Sequence, residues 1–367
     1  MNTAPVPVII TGAHFISSPL PTARLGTDVS IAITAATSVR LDGIVPADIQ
    51  AGVYGLTVQN FDGRSGSLSP AYVALNPLNP DTTLERGYVS TFGPSSPDTD
   101  GDDDHVQVIF FDLPASSSDN LYFRIFDADT GNSLDEIYAP ADTTIRYALY
   151  GGAGAYTGAR VSHPAPSQIN AGTLLAETTI GENSAYDNGW QLVFGPFSAT
   201  QGEDMGSRRV FKLVVQGTSG DDGNLYNAVL STNPGANVPP AGSRTFAYAW
   251  TLPLASDPAQ RPALYPYVPT GSSEFRQYNY DADFTGGSDT ITLRTPIRTV
   301  SLPPEGVSGD GTTANASLSI VTGEHGATWT MLLAWSSPAI WNDVTLWATA
   351  DGVDLPIFAR PTMASPP

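Results

Sequence analysis

The sequence holds no cysteine, which excludes disulfides, thiolate zinc sites and cysteine nucleophiles together. Lysine is almost as scarce. Lys212 is the only one, so nearly all the cationic charge is arginine. Only 14% of the residues are charged, too few for long surface helices, whose wet faces need dense Lys, Glu and Arg. No stretch reaches the run of about 18 apolar residues that a membrane-spanning helix requires. The opening stretch, MNTAPVPVIITG, has neither the basic nor the apolar region of a secretory signal, so export would imply a removed leader or another route. Enzyme signatures are missing as well: there is no HExxH, nucleophile elbow or Walker loop, and His14, His105, His163 and His325 show no metal-ligand spacing. Gly151-Gly-Ala-Gly-Ala155 lacks the GxGxxG spacing of a phosphate loop and reads as a turn.

What is present is turn chemistry and acid. The chain carries 35 Gly and 31 Pro, with Thr, Ser, Asn and Asp covering its polar surface, which suits short strands joined by tight turns. At 367 residues it is long enough for two or three domains, each with a core. A net charge of -20 repels phosphate backbones and anionic headgroups, so no nucleic-acid partner is expected. The same excess of carboxylate invites a divalent cation, calcium above all. Solubility in a salty medium is the plainer use of that charge.

From Pro5 to Leu75 short β-rich runs alternate with turns, as in a small sandwich. Val6 to Thr11, Val29 to Thr34 and Val53 to Gln59 read as strands, and Asn60-Phe-Asp-Gly63 marks a tight hairpin. Val8-Ile-Ile-Thr-Gly-Ala-His-Phe15, Leu41-Asp-Gly-Ile-Val-Pro-Ala-Asp48, the run Ala51 to Gly63 and Ser69-Pro-Ala-Tyr72 follow in the order and spacing of one family. This segment resembles an IPT/TIG domain, although it lacks the Ser-Gly-Gly often found before the first strand. The resemblance covers about a fifth of the chain. It implies an Ig-like sandwich that serves as a spacer or interaction module without catalytic residues, in the company of adhesive, carbohydrate-active or structural partners.

Beyond Asn76-Pro-Leu-Asn-Pro80, which reads as a stiff joint, the strands continue. Val106 to Phe111, Leu121 to Phe126, Thr144 to Tyr150, Gln191 to Phe194 and Val210 to Val215 form one set. Phe246 to Leu252, Thr290 to Leu293, Ala316 to Val321, Trp329 to Trp335 and Val344 to Trp347 form another, in a part of the chain that holds five of the six tryptophans. The expected fold is therefore all-β: an Ig-like sandwich over 1–78, then one or two antiparallel, jelly-roll-like sandwiches over 79–238 and 239–367. Phe246 to Leu254 suits either the end of the second unit or the start of the third. Asp119 to Asp127, Gly223 to Leu230 and Asp343 to Ala350 echo one another as polar turns feeding strands. The Asn-Leu-Tyr form also resembles, over a short span, bacterial pre-peptidase-type β-sandwiches.

The acidic turns carry the candidate chemistry. Calcium takes six to eight oxygens, and alternate carboxylates in a Gly-containing loop can converge on one ion. Asp98, Asp100, Asp102 and Asp104 have that pattern, without the Glu or the flanking helices of an EF-hand. The competing reading is a solvated acidic linker. Asp127, Asp129, Asn132 and Asp135 form a second candidate set on a turn after a strong strand, where simple turn capping is the alternative. Should both turns emerge at one end of a sandwich, they could share an ion. Ser219 to Gly223 and Asp281, Asp283 and Asp289 read as plain turns. His105 beside the first run reads as a surface histidine, and His14 as part of the Ig-like strand.

Tyr265 with Tyr267, Tyr278 with Tyr280 and Trp335 with Trp341 suit either sugar-stacking platforms or core anchors. Lys212 stands in an apolar strand, as the lysines of intramolecular isopeptide bonds do. The leading expectation is a non-catalytic extracellular or cell-surface structural or adhesive protein, self-associating into a filament or surface layer stabilised by calcium. A carbohydrate-binding or carbohydrate-active secreted protein, with glycans as partners, is the first alternative. A viral or phage surface protein is the second.

Overall fold

The computed structural model describes residues 5–47, 49, 52–74, 88–97, 104–253, 263–280, 289–302, 313–335 and 343–367. It is nearly all β, as expected. Helix is confined, among the described residues, to Pro166–Ile169 and one 3-10 turn, Ala199–Gln201. No described helix is long and apolar enough to cross a membrane.

Six strands make the N-terminal sheet: β1 Val6–Thr11, β2 Thr22–Leu25, β3 Val29–Ala36, β4 Arg40–Val45, β5 Gly52–Gln59 and β6 Ser65–Ala74. They pair antiparallel in the order β1-β4-β3-β2-β5-β6. Inward residues of the outer strands, Val8 and Tyr72, pack on the same core as Leu25, Leu41 and Tyr54. The β5–β6 hairpin turns at Gly63, whose φ of 84° is open to glycine and strained for other residues.

Nine strands follow: β7 Val89–Phe92, β8 Val106–Pro114, β9 Leu121–Phe126, β10 Thr144–Gly151, β11 Thr173–Ile180, β12 Trp190–Phe197, β13 Glu203–Asp204, β14 Arg208–Ser219 and β15 Gly223–Ser231. The last twelve are β16 Arg244–Ala247, β17 Ala249–Pro253, β18 Ala263–Val268, β19 Glu274–Tyr280, β20 Asp289–Arg294, β21 Thr299–Leu302, β22 Thr313–Ser319, β23 Ala327–Thr328, β24 Thr330–Trp335, β25 Asp343–Ala350, β26 Val353–Asp354 and β27 Ile357–Phe358.

One long sheet runs β11-β10-β14-β8-β16-β27-β18-β24-β20-β21. A four-stranded sheet, β12-β9-β15-β7, and a five-stranded sheet, β17-β25-β19-β22 with β26 paired to β25, complete the layers. Alternation dictates the packing: Ile109, Phe111 and Leu113 of β8 face one core, and Val108 and Phe110 face the other. Phe111 meets Phe123 of β9 edge to face at 5.5 Å, and Phe275 of β19 meets Trp329 at 4.7 Å. A single apolar core thus extends from Val89 to Ala359.

Residues 244–253 serve both parts of this body. Arg244, Thr245 and Phe246 pair with β8, whereas Ala249 to Pro253 pair with β25, with Tyr248 between them. The ladder from β8 to β16 therefore carries hydrogen bonding across residue 239. The interdomain joint read at 76–80 lies outside the described residues.

The N-terminal sheet is fastened to this body through its β5 and β6 strands. The Gly55 N–H donates to the Pro296 carbonyl at 2.7 Å, and Arg294 donates to the Tyr54 hydroxyl at 2.7 Å. The Ser69 hydroxyl donates to the Gly323 carbonyl. A side chain at Gly55 would meet that Pro296 carbonyl at 3.0 Å, which explains glycine at this close approach.

Candidate metal centre

Asp127 follows β9 directly and sits in the left-handed region, with φ of 53°. Asp and Asn enter that region more readily than other non-glycine residues, so the strand can turn sharply here. The loop then folds on its own carboxylates. Asn132 Nδ2 donates to Asp127 Oδ1 at 2.9 Å and reaches Asp135 Oδ2 at 3.5 Å. Asp135 Oδ2 also accepts the Gly131 N–H at 3.0 Å, and its Oδ1 accepts the Leu225 N–H of β15 at 2.9 Å. Both oxygens of Asp135 are thus engaged, and it acts as the staple between the loop and the sheet.

A second turn, at 182–189, closes over the first. The Asn188 N–H donates to Asp127 Oδ1 at 3.0 Å, and the Asn183 N–H donates to Asp129 Oδ2 at 2.7 Å. The Asp127 N–H returns a hydrogen bond to the Gly189 carbonyl at 3.0 Å. Below, the Tyr147 hydroxyl donates to the Ala128 carbonyl at 3.0 Å. Asp127, Asp129 and Thr130 are fully buried. Asp127 Oδ2, Asp129 Oδ1 and Thr130 Oγ1 receive no hydrogen bond.

The electrostatics follow from that burial. Desolvation, with the Asp187 and Asp127 charges added, pushes the Asp129 carboxyl up to about 6. Desolvation pushes Asp135 up to about 7 against the pull of its amide donors, and it raises Asp127 as well. Asp187 raises both Asp127 and Asp129, which places its carboxylate in their field. That residue was not singled out from sequence. Its Asp-Asn-Gly turn before Trp190 is a turn signal of the same kind, separated from the first loop by the whole of β10 and β11.

The other sequence candidates fall elsewhere. Asp104 lines a separate cavity of about 370 Å³ with His105, Gln107 and His163. Asp98, Asp100 and Asp102 lie outside the described residues, as do Asp281, Asp283 and Trp341. Asn132 has a bracing part, since its Oδ1 accepts the Leu134 N–H at 2.6 Å. Among the described residues, one set of three carboxylates has its oxygens all within 4.8 Å of one another: Asp142, Asp221 and Asp222. Asp222 is spent there on backbone amides, accepting from Tyr138 at 2.8 Å, Asp142 at 2.8 Å and Thr143 at 3.0 Å. Asp222 thus braces this turn through its amide hydrogen bonds.

Tyr265 and Tyr267 are buried in β18, and Tyr278 stacks on Trp347 at 5.2 Å. Lys212 is fully buried. Its ammonium donates to the carbonyls of Gln168 at 3.0 Å and Ala171 at 2.7 Å, 4.7 Å from the Tyr150 ring centre. Burial pushes this amine down to about 8. Between that value and its ordinary 10.5 the unfolded chain holds the extra proton, so stability should rise with pH across this window. Denaturant midpoints for the wild type and Lys212→Met should diverge over that window; parallel curves would show that burial does not perturb the amine.

No protein-family model matches the chain, and the search of curated proteins finds no match.

Proposed function

We propose that the protein is a non-catalytic structural or adhesive component of the extracellular space or cell surface, a subunit that associates with copies of itself into a filament or layer. The observation that supports this reading most is mechanical continuity. The β8–β16 ladder joins two layered units into one sheet, and β5 and β6 bind the N-terminal sheet to the same body. A load applied at one end would be shared among many backbone hydrogen bonds, which suits a strut.

The N-terminal sheet also offers surface for association. Ile9, Val39, Phe61 and Leu68 are exposed there, and β1 and β6 are the end strands of the sheet. Between these two strands opens a cavity of about 610 Å³ lined by Val8, Ile10, Leu56, Val58 and Tyr72. A strand or apolar side chains from a second copy would find both backbone edge and apolar floor at that place. Pro7 lies within β1 and, lacking an N–H, limits how far a ladder could run along it.

Negative-stain electron microscopy of the purified protein, at rising concentration with and without calcium, should show ordered assemblies. Ile9→Asp and Phe61→Ser, at exposed positions, should abolish them while leaving circular dichroism unchanged. Monomers persisting at millimolar concentration under both conditions would dismiss the reading.

A further inference from the structure

We infer that Asp127 and Asp129, with the Thr130 hydroxyl, form a binding site for one calcium ion, to which Asp187 of the facing turn adds negative charge without being a ligand. This holds whether or not the chain assembles, because it depends only on how two turns of the central unit meet.

The argument begins with oxygens that lack donors. Asp127 Oδ2, Asp129 Oδ1 and Thr130 Oγ1 belong to consecutive parts of one loop, are buried, and receive no hydrogen bond. Buried polar atoms are almost always satisfied, and a bare buried carboxylate oxygen is among the least tolerable exceptions. The neighbouring donors are already committed: the Asn188 and Asn183 amides hold the opposite oxygens, and Asn132 spans Asp127 and Asp135. The charges acting on Asp127 and Asp129 are further carboxylates, with Asp187 acting on both. A loop that gathers negative charge, buries it and leaves oxygens open calls for a cation.

The ligand chemistry selects which cation. The set is oxygen only, with neither the thiolate nor the imidazole that zinc and copper favour. Magnesium demands a near-ideal octahedron, whereas calcium accepts irregular shells of carboxylate, hydroxyl, carbonyl and water. An irregular turn entered through positive φ at Asp127 and closed by another at Asn188 fits calcium's tolerance. Asp135 and Asn132 are positioning residues that hold the loop in shape, and the site is built on the buried, donor-free oxygens of Asp127, Asp129 and Thr130. Bound metal would tie the end of β9 to the start of β12, the pair that these turns border.

The test uses the full chain stripped of metal, titrated with calcium by calorimetry and with terbium by luminescence sensitised through the nearby Tyr147. One site should appear, with calcium displacing terbium and magnesium doing so poorly. Asp129→Asn should remove it, and Asp187→Asn should weaken calcium binding by roughly 10- to 100-fold, the usual range for losing a supporting carboxylate. Asp221→Asn, at the braced turn, should bind as the wild type does. Asp187 is only half-buried, so its variant decides the matter should Asp129→Asn fail to fold. An absence of binding, equal affinity in Asp187→Asn, or loss of the site in Asp221→Asn would each overturn the inference.

Discussion

Calcium-free protein should lose stability as the pH is raised from about 4 to about 7, the reverse of the usual behaviour of proteins held by ion pairs. Asp129 and Asp135 carry the effect, because burial raises their carboxyls from 3.8 to about 6 and about 7. The sign follows from which state holds the proton. With a folded value above the unfolded one, the native state keeps protons that the unfolded chain has released. The favourable contribution is complete below about pH 4 and is lost as pH climbs through the folded values. At about 1.4 kcal/mol per pH unit, each carboxyl contributes roughly 3–4 kcal/mol as an upper bound. Charging both in one loop makes the later step harder, so the titrations are coupled and one broad decline is expected.

Calcium should cancel this loss where it is greatest. The ion competes with protons for the same loop, so its stabilisation is small at pH 5 and large at pH 8. At a hundred times the dissociation constant it should add about 2.7 kcal/mol. Urea midpoints at pH 5 and 8, with calcium and with chelator, give the four values needed. A chelated protein that is as stable at pH 8 as at pH 5 would mean that these carboxyls are not desolvated in solution.

The loop at 127–135 was legible in the sequence because turn residues follow a strong strand and the carboxylates are local to one another. Its partner was not. The turn bearing Asp187 comes beside the 127–135 loop only because β12 returns to pair with β9, and nothing local in Tyr186-Asp-Asn-Gly189 sets it apart from an ordinary turn. The strands followed the same logic. Leu121–Phe126 and Val106–Pro114 were readable since burial on one or both faces imposes apolar sequence. Thr173–Ile180 was missed: it lies at the sheet's end, mostly exposed, and its Leu-Leu-Ala-Glu run has the composition of a helix. Ala263–Val268 was missed through Pro266, which argues against a central strand, although here it pairs with Ile357. The tyrosines beside it, open from sequence to a platform or a core-anchor role, are core anchors, buried by the fold. The IPT/TIG likeness rests on the N-terminal segment alone and leaves the long shared sheet unforeseen.

Replacing Asp112 should be among the most damaging single changes in the molecule, at about 3–5 kcal/mol. This carboxylate lies fully buried in β8, in the strand that carries the long sheet across residue 239. Arg208 of β14 grips it from one side, with Nη2 to Oδ1 at 2.6 Å, and Arg244 of β16 from the other, with Nε to Oδ1 at 3.0 Å. Arg208 also donates to the Gly242 carbonyl at 2.9 Å, and Arg244 to Ser365 at 2.9 Å, while its guanidinium lies over the Phe358 ring. One anion therefore holds strands from both sides of the junction together with the C-terminal tail. Removing it strands two guanidinium groups that are largely shielded from water. For a body of this size the loss corresponds to a fall of roughly 10 °C in Tm. The junction should also yield first, so that Asp112→Ala melts in two steps by calorimetry where the wild type melts in one. Asp42→Ala removes an ion pair that is open to solvent on both sides, and should leave the melt unchanged. Equal melts for the two variants would show that the Asp112 network follows from the joined sheet rather than holding it together.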